Sequence, residues 1–204
     1  MDPLILHKVQ QTLQALIERR VLALDNDSER EIELSFVAPD ESFVSELSTR
    51  PVINCYLIGI AEDRSRRRSD PVRAVINDQK TSSTIYQEPR YVDISYMLTV
   101  WSKDKTGSAL IEHMLIGYLI TGLGYFDFLP TDLQQAFQLN TDPFGIRMTL
   151  FGSEHSEKVT GQVWQAMGST PKPSLMLSLS IPVTIAEPGA VSVVREIDRA
   201  MEHH

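Results

Sequence analysis

An α+β fold is predicted: a mixed, mainly antiparallel sheet with helices packed on it, in a single domain carrying an extended loop and a C-terminal arm. Three observations lead there. Tyr91 to Trp101 is rich in aromatic and β-branched residues and lies between Pro89 and the polar turn residues of 102–107, which marks a long strand. Glu31 to Phe36 and Leu175 to Ile185 alternate apolar with other residues at the two-residue period of a strand. Near the N-terminus, after Ser108 and after Glu157, apolar residues recur instead at the three- and four-residue spacing of a helix.

In chain order, a helix is expected over 3–24, with Asp2 as its cap, Pro3 in its first turn and Leu4, Ile5, Val9, Leu13, Leu16, Ile17 and Leu24 as its apolar stripe. A half-buried strand follows at 31–37, ended by Pro39, and a short helix is expected over 42–47. Residues 52–60 are apolar on both faces apart from Asn54, as in a central strand covered on both sides. Apolar periodicity then lapses over 61–88, which reads as a long charged loop that orders against a neighbour.

In the strand at 90–101, Val92, Ile94, Tyr96, Leu98 and Val100 form a wholly apolar face that should lie on the core. The helix over 107–122 is expected to bury Ala109, Leu110, His113, Met114, Gly117, Tyr118 and Thr121. A turn of helix near 133–139 and a strand at 146–151 come next, then a helix over 157–167 carrying Val159, Val163, Trp164 and Met167. The last strand, 175–185, contains Pro182, which cannot donate to a ladder, so it should lie at an edge or end nearby. The main domain is taken as 1–187 and the arm as 188–204, where Val191, Val194, Ile197 and Met201 have helical spacing.

Composition narrows the function classes. A length of 204 residues with 42% hydrophobic and 23% charged residues suits a soluble globular domain with a real core. The net charge of −8 argues against a general nucleic-acid coat, whose affinity needs an excess of Lys and Arg facing phosphate. The lone Cys55 rules out an intramolecular disulfide framework and favours a reducing compartment. No secretory leader is expected, since Met1-Asp2-Pro3 has no basic region, and the apolar run from Met114 to Phe126 is too short for a bilayer span.

Candidate chemistry is sparse. Gly122-Leu123-Gly124 follows a helix, whereas a dinucleotide fingerprint precedes one. Cys55 sits in an apolar strand with no basic residue beside it to stabilise a thiolate. His113 lacks the second His of a helical zinc site, and the spacing of Asp127, Asp132 and Asp142 fixes no shared metal. Glu154, His155 and Glu157 are the one carboxylate–His group, read either as a solvated helix start or as the acid–base site of a small hydrolase or transferase. No metal or cofactor is expected, and no catalytic residue is assigned. The cluster Arg64, Arg66, Arg67, Arg68 and Arg73 is either a solvated loop with internal Arg–Asp pairs or a docking patch for carboxylates on a partner.

The run Pro89-Arg90-Tyr91-Val92-Asp93-Ile94-Ser95-Tyr96-Met97-Leu98-Thr99-Val100-Trp101, then Glu112-His113-Met114-Leu115-Ile116-Gly117, then Val163-Trp164-Gln165-Ala166 and Pro173-Ser174-Leu175-Met176-Leu177-Ser178, resembles the cap, or tail-terminator, family of contractile phage-tail-like injection systems. The likeness spans roughly residues 4–187 and rests on the order of elements. It implies a non-enzymatic subunit that forms a homo-oligomer, typically a hexameric ring, on the distal end of the inner tube and sheath, with sheath and inner-tube subunits as partners. It implies assembly in the cytoplasm, into a particle either released or anchored to a membrane. A baseplate adaptor of the same machine is the neighbouring alternative. With that resemblance, Arg64, Arg66, Arg67, Arg68 and Arg73 of the loop and Val191, Val194 and Ile197 of the arm become the expected partner interface.

Overall fold

The structure is a computed structural model, and it describes residues 2–24, 32–66, 72–76, 82–103, 107–151, 154–168, 170–183 and 189–192. Its centre is a five-stranded sheet built from β1 (Glu33–Ser35), β2 (Val52–Glu62), β5 (Arg90–Trp101), β6 (Arg147–Leu150) and β7 (Ser174–Val183), in the order β1-β2-β5-β7-β6. Only β1 and β2 run parallel; the other neighbours are antiparallel. The α+β reading with a mixed, mainly antiparallel sheet therefore holds.

The apolar face expected for β5 is buried as predicted. Ile94, Tyr96, Leu98 and Val100 meet Ile53 and Cys55 of β2 and Leu175, Leu177, Leu179 and Ile181 of β7. This face is covered by α1 (Ile5–Leu16), α3 (Ser108–Gly124) and α4 (Thr131–Ala136). On the opposite face, Val52, Met97, Trp101 and Met176 form a second cluster with Trp164 of α5 (Glu154–Met167) and with Phe43 and Val44 of α2 (Glu41–Glu46). Glu112 of α3 pairs with Lys172 and accepts a bond from the Ser102 backbone at 3.1 Å, tying the helix to the end of β5 and to the link before β7.

Several expectations need correction. The first helix starts at Ile5, with Asp2 accepting from the Leu4 backbone at 2.9 Å ahead of it. It then loosens into a π turn, Ile17–Val21, before a 3-10 turn, Leu22–Leu24. Val21 in that turn lies against Gly122 of α3, where an added methyl would come within 2.7 Å of Val21 Cγ1. Helix α3 is turned away from its predicted face: Leu115, Leu119, Gly122 and Leu123 are buried, while Ala109, Leu110, His113 and Thr121 are exposed. The helix is apolar all round, so periodicity had no polar side from which to choose. Helix α5 begins at Glu154, a turn before the expected start.

Strand β7 is internal to the sheet. Pro182 fits there because β6 pairs with β7 only over Leu177–Ser180, so no β6 residue is opposite the proline.

The largest correction concerns 61–88 and the tail. Strands β3 (Val72–Ile76) and β4 (Ser82–Gln87) form an antiparallel hairpin within the supposed loop. In the supposed helical arm, β8 (Gly189–Ser192) pairs with β4, giving a second sheet of order β3-β4-β8. Loop and arm thus meet in one ribbon. Two features hid it: polar Ser82, Ser83 and Thr84 break the strand pattern, and β8 is too short to show a period of its own.

Candidate functional site

The ribbon strands adjoin the body strands in sequence, β3 after β2, β4 before β5 and β8 after β7. From the β5–β7 pair Arg90↔Val183, the β4–β8 pair Ile85↔Gly189 is five residues back along one strand and six forward along the other. On the other side the count is unequal: from Glu62↔Val92 to Val72↔Gln87 is ten residues along β2–β3 but five along β5–β4. The surplus holds the 3-10 turn Arg64–Arg66 and most of the arginine cluster.

That turn lies on the polar half of the second sheet face, where Asp93, Ser95, Ser178 and Ser180 replace apolar residues. Arg66 is half-buried there. Its guanidinium donates to Ser180 O at 3.2 Å, to Ser180 Oγ at 3.3 Å and to Phe144 O at 3.3 Å, and it stands 3.9 Å over the Tyr91 ring. Ser180 Oγ in turn donates to Asp63 Oδ2 at 2.6 Å, and the Ser65 hydroxyl donates to Asp63 Oδ1 at 2.6 Å. Desolvation tends to raise the Asp63 pKa, but these hydroxyl bonds and backbone N–H donors outweigh it and hold the carboxyl below its ordinary value. The opposite holds for Asp93, which is pushed up by burial first and by the Asp63 charge second.

Asp93 yields a pH prediction. Its folded-state pKa lies above the unfolded one, so ionisation works against folding. The penalty is absent below the unfolded value, about 3.9, and grows as pH rises through the folded value. Asp93→Asn should therefore raise the urea midpoint at pH 7 and give no gain near pH 3. An equal gain at both ends would place its origin elsewhere.

The expected interface residues fall in different places. Arg64 is exposed at the start of the turn. Arg66 is committed to internal partners, which removes it from the set of free docking residues. Arg73 stands on β3 opposite Tyr86, and Val191 on β8 opposite Ser83, so the ribbon joins members of both groups. Arg67, Arg68, Val194 and Ile197 lie outside the described residues, as do Met201 and residues 193–204 as a whole.

Glu154, His155 and Glu157 fall in the first turn of α5. Cys55 is fully buried, and burial pushes its thiol up to about 12. Asp132 is paired with Arg20 at 2.7 Å. Among the described residues, no group of three or more His, Cys, Asp or Glu could hold a metal ion, and no helix is long and apolar enough to cross a membrane.

Sequence reasoning missed Asp63, Tyr91 and Ser180 as a site; the two serines facing a β-strand partner with Asp93 and Ser95 were the available signal. It also missed an open cleft of about 1110 Å3 beside Arg66, lined by Tyr91, Phe126, Phe128, Arg147 and Phe151 among others. Phe128 and Phe151 of its lining stand exposed.

The fold has known counterparts. The chain is similar to a solved structure described as the sheath/tube terminator of PVC, an extracellular contractile injection system, in its extended state. The TM-score is 0.58 at 15% identity, covering 100% of this chain and 65% of that one. It is also similar to the tube-terminating cap of the anti-feeding prophage, with a TM-score of 0.55 at 16% identity, covering 93% of this chain and 58% of that one. The chain thus spans less than two thirds of the length of either. No curated protein matches the sequence. The family model for the Pvc16 N-terminal domain matches residues 8–196, nearly the whole chain, and the chain belongs to that family.

Proposed function

We propose that this protein is a structural cap, or terminator, that closes the distal end of the tube and sheath of a contractile injection system. The family match over residues 8–196 is the observation that carries this reading, and the fold shared with two terminators supports it. The mechanism is capping by complementary surface. A ring of copies, six in this proposal, covers the last open subunit interface, stops further addition and anchors the sheath end to the tube. It is non-enzymatic, and assembly takes place in the cytoplasm. The rigid sheet serves as the body, and the ribbon presents contacts to sheath and tube subunits.

Within that proposal, Arg64, Arg67, Arg68 and Arg73, with Val191, Val194 and Ile197, form the partner interface. Arg66 is left out of the test because its guanidinium is bonded internally. Arg64→Glu, Arg67→Glu and Arg68→Glu together should, on this reading, leave the melting temperature within a few degrees, since Arg64 is exposed and changes at exposed positions usually alter stability by about 0.5 kcal/mol or less. Like charges juxtaposed at a docking surface cost several kcal/mol, so particles should be missing or irregular in length. Normal particles from the triple variant would remove these arginines from the interface.

A further inference from the structure

The chain that joins β2 to β3 is longer than the one that joins β4 to β5. Strand β2 ends at Glu62 and β3 begins at Val72, whereas only Glu88 and Pro89 separate β4 from β5. Just after β2 comes the 3-10 turn Arg64–Arg66, and this turn brings Arg66 across the sheet. From the β2 side, the guanidinium passes over Tyr91 at the start of β5, bonds Ser180 of β7 and reaches Phe144, just ahead of β6. The Asp63 backbone N–H donates to Tyr91 O at 2.9 Å, and its carboxylate takes the Ser180 hydroxyl, so the base of the turn is held at both ends. The end of β2, the strands β5 and β7 and the segment ahead of β6 are thereby joined on one side of the body.

The ribbon itself is three short strands that pair with one another, whereas the body has a core on each face of its sheet. Short two- and three-stranded sheets depend on what they pack against for independent stability. We infer that residues 63–66 form a clamp that aligns the ribbon with the body, and that Arg66 is its pin, a positioning residue for the ribbon. The inference stands apart from the capping reading, because its test needs the full chain alone.

Hydrogen exchange on the full chain distinguishes the clamp from a general stabiliser. Arg66→Ala should lower the protection of the β3, β4 and β8 amides at least tenfold, while the central amides of β5 and β7 stay within about threefold. Arg66→Lys keeps the charge but loses the fork, and should fall between. Arg64→Ala should change neither set. Unchanged ribbon protection in Arg66→Ala, or an equal loss in ribbon and body, would overturn the inference. Should Arg66→Ala not fold, Ser180→Ala, which removes one acceptor and leaves the arginine in place, is judged by the same two criteria.

Discussion

Trp101→Ala should cost about 3–5 kcal/mol, the range for truncating a large buried aromatic. The indole is 3% exposed and closes the second cluster at the end of β5. Its ring centroid is 5.6 Å from Phe43 and 6.2 Å from Trp164, its Nε1 donates to Thr99 Oγ1 at 2.8 Å, and Lys172 Nζ stands 5.0 Å over it. Truncation therefore opens a cavity between β5, α2 and α5 and leaves few neighbours able to move in. A domain of this size typically has about 5–15 kcal/mol in total, so the loss takes a large share. Denaturant unfolding at an unchanged m-value measures it. A cost below about 1 kcal/mol would mean that α2 and α5 are not seated on this face as described.

Gly122→Ala should destabilise although alanine is the better helix former. The new methyl would lie 2.7 Å and 3.0 Å from the two Val21 methyls and 3.1 Å from Val21 Cβ, too close for a β-branched side chain to yield. Overpacking of this kind costs about 1–3 kcal/mol, against a propensity gain of about 0.8–1.0. Gly117→Ala is the control: nothing lies within 4 Å of its added methyl, so only the gain remains. Pairing Gly122→Ala with Val21→Ala should recover more stability than the single changes sum to. Strict additivity would show that α3 and the π turn are not in contact there.

These two positions differ in how far the sequence announces them. Trp101 ends a strand that the sequence announces, although alternation puts it on the face shared with Asp93 and Ser95 and does not reveal the cluster that buries it. Gly122 looks like a helix terminus, because nothing local reveals that Val21, a hundred residues earlier, presses on it. The same contrast runs through the fold. Strand β5 was legible because one face is wholly apolar; α3 was not, because every face is. The ribbon was illegible for a topological reason. Each of its strands is short, and β8 completes a hairpin encoded about a hundred residues upstream.

The arginine cluster shows the same limit in electrostatic form. Charge density left a solvated loop and a docking patch both open, and spacing could not single out the one guanidinium that bends back to Ser180. What gave Arg66 away lies on β7, in serines placed where the apolar alternation has no use for them.

The central claim is that this chain terminates a tube and sheath, and a cryo-EM map of the particle assembled with it tests that most directly. The account predicts density for this fold as a single ring at the end distal to the baseplate, with its surface against the last sheath and tube subunits. Density for the fold at the baseplate, or an intact distal end without it, would contradict the account.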